Sequence, residues 1–249
     1  MNLELLIDLH KDGPRQGPGD EKLTKLAMEI AGLGERNSRL NILDVGSGTG
    51  ASTLVLAKYL DADITALDLS SEFLQVLEKT TLSSGYSDKI TTLNCSMDAL
   101  PFSTNSFEVI WSEGSIYIMG FKKGVAYFSR YLKPGGILAV SEITWLTKKR
   151  PDELTSFWQK EYPEIATASM KIKILEEHGF IVKGYFPLPK FAWVDNYYIP
   201  LQGRFEAFLA RHKSRAASLL IESEKNEIEM FKKYGDYYSY GFYIAQKHT

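Results

Sequence analysis

The chain has 249 residues, of which 44% are hydrophobic and 24% are charged, a composition typical of a globular α/β protein. Its formal net charge of −2 gives no basic field for nucleic acid or an anionic membrane, so a small-molecule partner is favoured. The single cysteine, Cys95, excludes an internal disulfide, and the four histidines show no metal-ligand spacing, so we expect no metal. With no leader pattern and no long apolar run, we expect a cytoplasmic protein that does not act at a membrane.

Residues 1–37 predict an N-terminal helical arm. An apolar helix is predicted over 3–9, followed by the loop KDGPRQGPGD and by a second helix that opens near Asp20 as its N-cap. Such an arm either packs on the core or covers a ligand, and the sequence leaves both alternatives open.

Residues 38–145 alternate short apolar runs with helical periodicity, the pattern of βα units in a parallel sheet. The predicted strands are 41–45, 63–68, 89–94, 107–112 and 136–142. The segment YLKPGG, residues 131–136, predicts a helix end, because neither its proline nor its glycines favour a continued helix. We expect this part to be the core of a single domain that spans residues 1–249.

The substrate-side half, residues 146–249, predicts helices over 151–160 and 167–177, a strand over 179–189, helices over 197–234 and a last strand over 239–247. The helical insert at about 190–235 is far too long for a hairpin loop, which indicates that it has a role as a substrate cover or as a homodimer surface. Its charges predict a solvated mixed-charge face rather than a nucleic-acid contact. These charges are Arg204, Arg211, Lys213 and Arg215, followed by Glu222, Glu224, Glu227 and Glu229.

The stretch LDVGSGTG, residues 43–50, places a glycine-rich turn directly after the first strand. Glycine permits a positive φ and a close approach of a ligand, and the turn aims backbone N–H groups at that ligand. Asp68 lies at the tip of the second strand, 22 residues after Gly46, where a carboxylate can accept hydrogen bonds from both ribose hydroxyls. Since Gly46, Gly48 and Ala51 also satisfy the dinucleotide spacing, these residues alone do not separate the two cofactor classes.

Segments further along the sequence separate the two cofactor classes. LDVGSGTG, LDLS, SMDALPF and the first-strand acid Asp44 occur in the order and spacing of the cofactor motifs of class I S-adenosylmethionine-dependent methyltransferases, which residues 38–145 therefore resemble. WSEGSIYIMG and the HKDGP arm further resemble bacterial members of the small-molecule branch. The resemblance implies S-adenosyl-L-methionine as the cofactor and a Rossmann-like, seven-stranded, mostly parallel sheet. Its strand order would be 3-2-1-4-5-7-6, with the last strand antiparallel.

The resemblance also implies roles by position. Asp44 would lie near the cofactor's amino group, Asp68 would hold the ribose, and Met97 and Asp98 would frame the adenine. Ser112 would offer a backbone carbonyl oxygen to the ammonium. The glycine turn and the residue after the ribose acid would supply the remaining contacts, from Gly46, Ser47, Gly48, Gly50 and Leu69.

Methyl transfer requires mainly an acceptor held in line behind the methyl group, and a base only where the acceptor's proton has a high pKa. The candidate catalytic residues are Glu113 and Glu142, near the tips of strands four and five, and His10 in the arm. The two carboxylates are expected to face one cleft, where they could take a proton or hold a cationic amine. Each has a structural alternative, such as an ion pair with an arginine or plain solvent exposure. Aromatic residues that could enclose an apolar or cationic acceptor are Tyr117, Trp145, Trp193 and Tyr197.

Two other functions stay open. An NAD(P)-dependent oxidoreductase is compatible with the glycine spacing, and Tyr243 and Lys247 match the Tyr-x-x-x-Lys spacing of its short-chain form. However, positions four apart on the predicted last strand would stand about 13 Å from each other. The second alternative is a binding module that holds S-adenosylmethionine without turnover.

Overall fold

The structure, a computed structural model that describes residues 2–35 and 38–249, is built around one mostly parallel sheet. Its strands are β1 Leu40–Val45, β2 Ala62–Asp68, β3 Ile90–Asn94, β4 Phe107–Glu113, β5 Leu132–Trp145, β6 Ala166–Thr167, β7 Phe180–Pro187 and β8 Tyr238–Lys247. Neighbouring strands follow the order β3-β2-β1-β4-β5-β8-β7, and β6 adds two residues beside the end of β5. Apart from β6, this is the expected order. The last strand is antiparallel to both of its neighbours, so the predicted Rossmann-like fold is confirmed.

Helices cover both sides of the sheet and its carboxyl edge. They are α1 Leu3–His10, α2 Glu21–Ile30, α3 Ala51–Tyr59, α4 Ser71–Ser84, α5 Phe121–Ser129, α6 Asp152–Glu161, α7 Ala168–Glu177, α8 Lys190–Trp193, α9 Ile199–Gln202, α10 Phe205–Arg211 and α11 Arg215–Tyr234. Short 3₁₀ turns occur at Leu33–Glu35 and Ile116–Ile118, and a π-helical turn at Val194–Tyr198. Asp20 caps α2 as predicted, because its side chain accepts a hydrogen bond from the Lys22 N–H. Within the described ranges, none of these helices has the length and apolar character needed to cross a bilayer.

The predicted elements agree with the observed ones to within a few residues, with one exception at β5. This strand begins at Leu132, so that Pro134 and Gly135 lie inside it rather than in a separate turn. The pairing with β4 shifts register between Phe107 and Val109, which accommodates a proline that cannot donate to a regular ladder. Three residues of the expected 1–37 arm, at positions 1, 36 and 37, lie outside the described residues.

Alternation along the central strands produces two apolar layers. Ile42 on β1 faces a layer that includes Leu56 and Leu77 of α3 and α4, whereas Leu43 faces a second layer with Phe128 of α5 and Leu175 of α7. All six of these side chains are fully buried. Burial on both faces therefore fixes β1 at the centre of the sheet, with its carboxyl end at the edge where the glycine turn begins.

A third apolar cluster joins the arm to the insert above that carboxyl edge. Leu5 and Leu9 of α1 pack with Trp193, Tyr198 and Phe208 of the insert, and the end of β5 contributes Ile143 and Trp145. Polar contacts add to this packing. Asp8 accepts from Arg211 at 2.7 Å and contacts His212 at 2.8 Å, and Arg204 donates to the Leu9 carbonyl at 3.0 Å. The arm and the insert therefore form one cover, and two of the basic residues of the insert bind the arm.

Gly50 gives a test of this packing. Its φ is +93°, and a Cβ built there would lie 2.2 Å from Cδ1 of the buried Leu77. We expect Gly50→Ala to lower the free energy of unfolding by about 1–3 kcal/mol, because it adds backbone strain and overpacks the layer behind the turn. The exposed Gly34, with nothing near its Cβ direction, is the matched control. Gly34→Ala should change stability by less than about 0.5 kcal/mol. Urea denaturation measures both, and equal effects would contradict the packing described.

Candidate functional site

A cavity of about 440 Å³ lies at the carboxyl edge of the sheet, within the range of about 300–1,000 Å³ usual for small-molecule sites. One end is formed by the glycine turn, by Asp68 at the end of β2 and by residues 95–97 after β3. The other end is formed by α1 of the arm, by the segment after β4 and by α11 of the insert. Since the tips of β1, β2 and β4 are neighbours in the sheet, the fold brings these distant segments together.

The N–H groups of the glycine turn are already bonded within the protein. Those of Gly46 and Ser47 both donate to the Leu67 carbonyl, at 2.8 and 3.0 Å. The Gly48 N–H donates to Oδ2 of Asp68 at 2.9 Å, and the Thr49 N–H donates to Oε1 of Gln16 at 2.9 Å. The N–H groups of residues 46–49 are therefore occupied within the protein and are not offered to a ligand.

The lack of a Cβ at the turn glycines also makes room for other parts of the protein. A Cβ on Gly46 would lie 2.4 Å from Cβ of Ser115, and one on Gly48 would lie 2.6 Å from Oε1 of Gln16. Gly46, Ser47 and Gly48 line the cavity as expected, whereas Gly50 does not, because its bare side faces Leu77. Gly50 is therefore a packing position and not a cavity contact.

Two aspartates flank the turn in different environments. Asp68 lines the cavity, and its carboxylate also accepts from the Ser70 N–H at 2.9 Å; burial raises its pKa above the ordinary value. Asp44 is fully buried behind the turn, where Ser52 and Thr53 donate to its Oδ2 at 3.0 and 2.7 Å. Burial raises the pKa of Asp44 to about 7. Its Oδ1 has no partner among the described residues.

Of the residues expected around the adenine and the ammonium, some line the cavity and others do not. Leu69 and Met97 line the cavity, together with Cys95 and Ser96. Asp98 is exposed outside the cavity, where it accepts from the Ser96 hydroxyl at 2.6 Å. Ser112 is fully buried and bonds Ser115 through its hydroxyl, while the next residues, Glu113 and Gly114, line the cavity instead.

The two carboxylates expected to face one cleft do not do so. Glu113 lines the cavity and binds the arm: its oxygens accept from Arg15 at 2.8 Å, from Thr24 at 2.7 Å and from the Trp111 indole at 3.0 Å. Glu142 is 1% exposed and lies outside the cavity, paired with the buried Lys171 at 3.3 Å. Burial raises the pKa of Glu142 and lowers that of Lys171. The expectation of a shared cleft is wrong because α7 supplies a buried lysine.

The aromatic residues divide in the same way. Tyr117 and Tyr197 line the cavity as expected, and Tyr240 of β8, which the sequence analysis did not single out, joins them. Trp145 and Trp193 are 6% and 2% exposed and belong to the cluster beneath the insert. The predicted substrate contacts of these two tryptophans are therefore wrong, because their rings fill the core.

The acidic run of α11 was also predicted wrongly in part. Glu222 and Glu229 are exposed as expected. Glu224 and Glu227, three residues apart and so on one helical face, instead line the cavity. His10 lies beside them, only 5% exposed, with its Nε2 3.7 Å from Glu224. The i, i+3 spacing of the two glutamates was visible in the sequence, but the position of the cavity was not.

The two residues that would catalyse the oxidoreductase alternative, Tyr243 and Lys247, lie outside the cavity. Tyr243 and Lys247 both lie on β8, where the Tyr243 hydroxyl bonds Thr144 and the Lys247 ammonium donates to the Ser129 and Leu132 carbonyls. Neither residue lines the cavity. The Tyr-x-x-x-Lys spacing in this chain is therefore structural.

Comparison with known proteins supports the fold and the motifs. Residues 42–136 match the sequence model of a family described as "Methyltransferase domain". A glycine/sarcosine/dimethylglycine N-methyltransferase of Actinopolyspora halophila is 25% identical over 189 residues, which covers 69% of this chain and 33% of that protein. The chain thus spans about a third of the length of the first curated relatives that it matches.

Solved structures extend the likeness over the whole chain. The X-ray structure of YjhP from E. coli superposes with a TM-score of 0.80 at 19% identity, covering 99% of this chain and 100% of that one. A methyltransferase from Geobacter sulfurreducens, solved in complex with S-adenosyl-L-homocysteine, gives a TM-score of 0.79 at 17% identity over 99% and 97% of the two chains. Both structures therefore share the fold described above.

The raised pKa of Asp44 predicts a pH dependence of stability. Because the folded protein favours the neutral acid, this contribution is complete below about pH 4 and is lost as the pH rises to about 7. Asp44→Asn keeps an oxygen that can accept from Ser52 and Thr53 but does not titrate. We expect its free energy of unfolding, relative to wild type, to rise by about 2–4 kcal/mol between pH 4 and pH 8. Urea denaturation across this range measures the difference, and parallel pH profiles for the two proteins would contradict the assignment.

Proposed function

We propose that the chain is a class I S-adenosylmethionine-dependent methyltransferase, which transfers a methyl group from S-adenosyl-L-methionine to a small-molecule acceptor inside the cavity. The glycine-turn end of the cavity would take the cofactor, and the end between the arm and the insert would take the acceptor. Both ends belong to one cavity, so the two reactants can meet there.

This proposal rests on the hydrogen bonds that the backbone N–H groups of the glycine turn already make. A dinucleotide binds its pyrophosphate through free N–H groups of the turn and of the helix after it, and in this chain the N–H groups of turn residues 46–49 are all bonded within the protein. S-adenosylmethionine has ribose and adenine but no phosphate. The turn therefore suits a nucleoside cofactor better than NAD.

The polar atoms around the turn fit such a cofactor. The Asp68 oxygens each accept one backbone hydrogen bond and keep lone pairs for the two ribose hydroxyls. The Ser47 hydroxyl is buried without a hydrogen-bond partner among the described residues, so it can serve the polar methionine portion. Leu69 and Met97 offer apolar surface to the adenine ring. Asp44 would act from behind the turn, since it does not reach the cavity surface.

When bound, the cofactor supplies a methyl group on a positively charged sulfur. The protein's contribution is to hold the acceptor in line and to keep water out, which lowers the barrier by roughly 7–11 kcal/mol in well-oriented systems. Arg15 and Gln16 hold the arm over the cavity through Glu113 and Thr49, and Tyr197 of the insert contributes to the opposite wall. Of the three candidate bases, His10 lines the cavity, Glu113 lines it but is held by Arg15, Thr24 and Trp111, and Glu142 does not reach it.

Titration calorimetry tests the cofactor assignment. We expect S-adenosylmethionine and S-adenosylhomocysteine to bind and NAD not to bind. Asp68→Ala should weaken both ligands at least tenfold, about 1.4 kcal/mol, because the ribose loses its charged acceptor. Asp88→Ala is the matched control, since Asp88 is exposed at the start of β3, at the opposite end of the sheet. Unchanged affinity in Asp68→Ala, or tight binding of NAD, would contradict the proposal.

A further inference from the structure

The acceptor end of the cavity contains two carboxyl groups, and burial raises the pKa of one of them, Glu227, to about 7. We define this end by the residues that surround it, which are His10, Tyr117, Tyr197, Glu224, Glu227 and Tyr240. Glu227 accepts a hydrogen bond from the Tyr198 hydroxyl at 2.9 Å, a neutral donor. Within the described part of the chain, no lysine, arginine or histidine forms an ion pair with Glu227. A carboxylate enclosed in this way costs free energy unless a cation pairs with it.

His10 provides a second, independent observation that points to a ligand in the cavity. It is 95% buried, since only 5% of its surface is exposed, and it lines the cavity. Its Nδ1 has no hydrogen-bond partner among the described residues, and its Nε2 lies 3.7 Å from Glu224, beyond hydrogen-bond distance. Since buried polar atoms are normally satisfied, an atom of a bound molecule is the partner that this end of the cavity lacks.

Three tyrosines complete the enclosure. His10 stacks on Tyr197 with ring centroids 6.1 Å apart, and Tyr117 stands at the mouth with 45% of its surface exposed. Burial is the main cause of the raised pKa of Tyr197 and Tyr240, and the charge of Glu227 contributes in both. Glu227 lines the same cavity as all three tyrosines. Aromatic faces together with carboxylates are the surroundings that bind an ammonium group.

We infer that the methyl acceptor is a small molecule with an amine, which arrives as an ammonium ion that Glu224 and Glu227 bind while the tyrosine rings enclose it. When the amine nitrogen is the atom methylated, its proton passes to one of these carboxylates, and the freed lone pair forms the new N–C bond as the S–C bond breaks and S-adenosylhomocysteine leaves. This inference rests on the proposed function and names its substrate class. Phosphate esters and carboxylic acids without an amine are excluded by the same two carboxylates. The first curated relative, described as an N-methyltransferase of glycine, sarcosine and dimethylglycine, acts on molecules of the same class.

The test uses the complex of the protein with S-adenosylhomocysteine and two probes of similar size. One is the tetramethylammonium cation, and the other is the neutral alcohol 2,2-dimethylpropan-1-ol. Ligand-observed NMR measures the affinity of each probe. We expect the cation to bind at least tenfold more tightly than the alcohol. Glu227→Gln should remove this preference, and Glu224→Gln should reduce it, whereas Glu229→Gln, on the exposed side of the same helix, should leave it unchanged.

The outcomes separate the inference from the proposed function. Failure of S-adenosylhomocysteine to bind the wild-type protein would overturn the proposed function. Normal cofactor binding without a preference for the cation, or a preference that survives in both Glu227→Gln and Glu224→Gln, would overturn the inference alone. If Glu227→Gln weakened S-adenosylmethionine but not the cation probe, the carboxylate would serve the sulfonium, and the inference would also be wrong.

Discussion

The close approach of two protein segments to the bare turn at Gly46 and Gly48 is the constraint on which the site depends. Ser115 after β4 and Gln16 of the arm each occupy the space that a side chain on the turn would fill. Gln16 accepts from both the N–H and the hydroxyl of Thr49. This contact joins the first residues of the fold to the first turn of the sheet and thereby closes the cavity on that side.

The insert closes the other side by the same kind of contact. Asn196 donates to the Gly19 carbonyl and to Asp20 at 2.9 Å, and Arg204 donates to the Leu9 carbonyl. The π-helical turn over Val194–Tyr198 widens the helix at this point, a feature often found at functional sites. With Tyr197 and Tyr198 placed there, α11 presents Glu224 and Glu227 to the enclosed space. Charge that would be solvated on an isolated helix is therefore buried by the cover as a whole.

The sequence predicted the strands of the sheet, because strand periodicity is local, while the strand order and the glycine-turn end of the cavity were implied by the resemblance that its motifs carry. It did not predict which long-range neighbours each polar residue meets. Glu142 looked equivalent to Glu113 until α7 brought Lys171 against it. Trp193 looked like a ligand contact until its indole was seen to bond Ser239 in the core. Glu227 looked solvated because nothing in the order of residues indicates that β8 and the arm enclose its helix.

A crystal structure of the complex with S-adenosyl-L-homocysteine tests the central claim most directly. The account predicts that the ribose hydroxyls contact Asp68, that the turn N–H groups keep their protein partners, and that the sulfur faces the space bounded by Glu224, Glu227 and Tyr197. A complex in which the arm leaves Thr49 and the turn N–H groups bind the ligand would contradict it, as would a ligand with its sulfur directed away from α11.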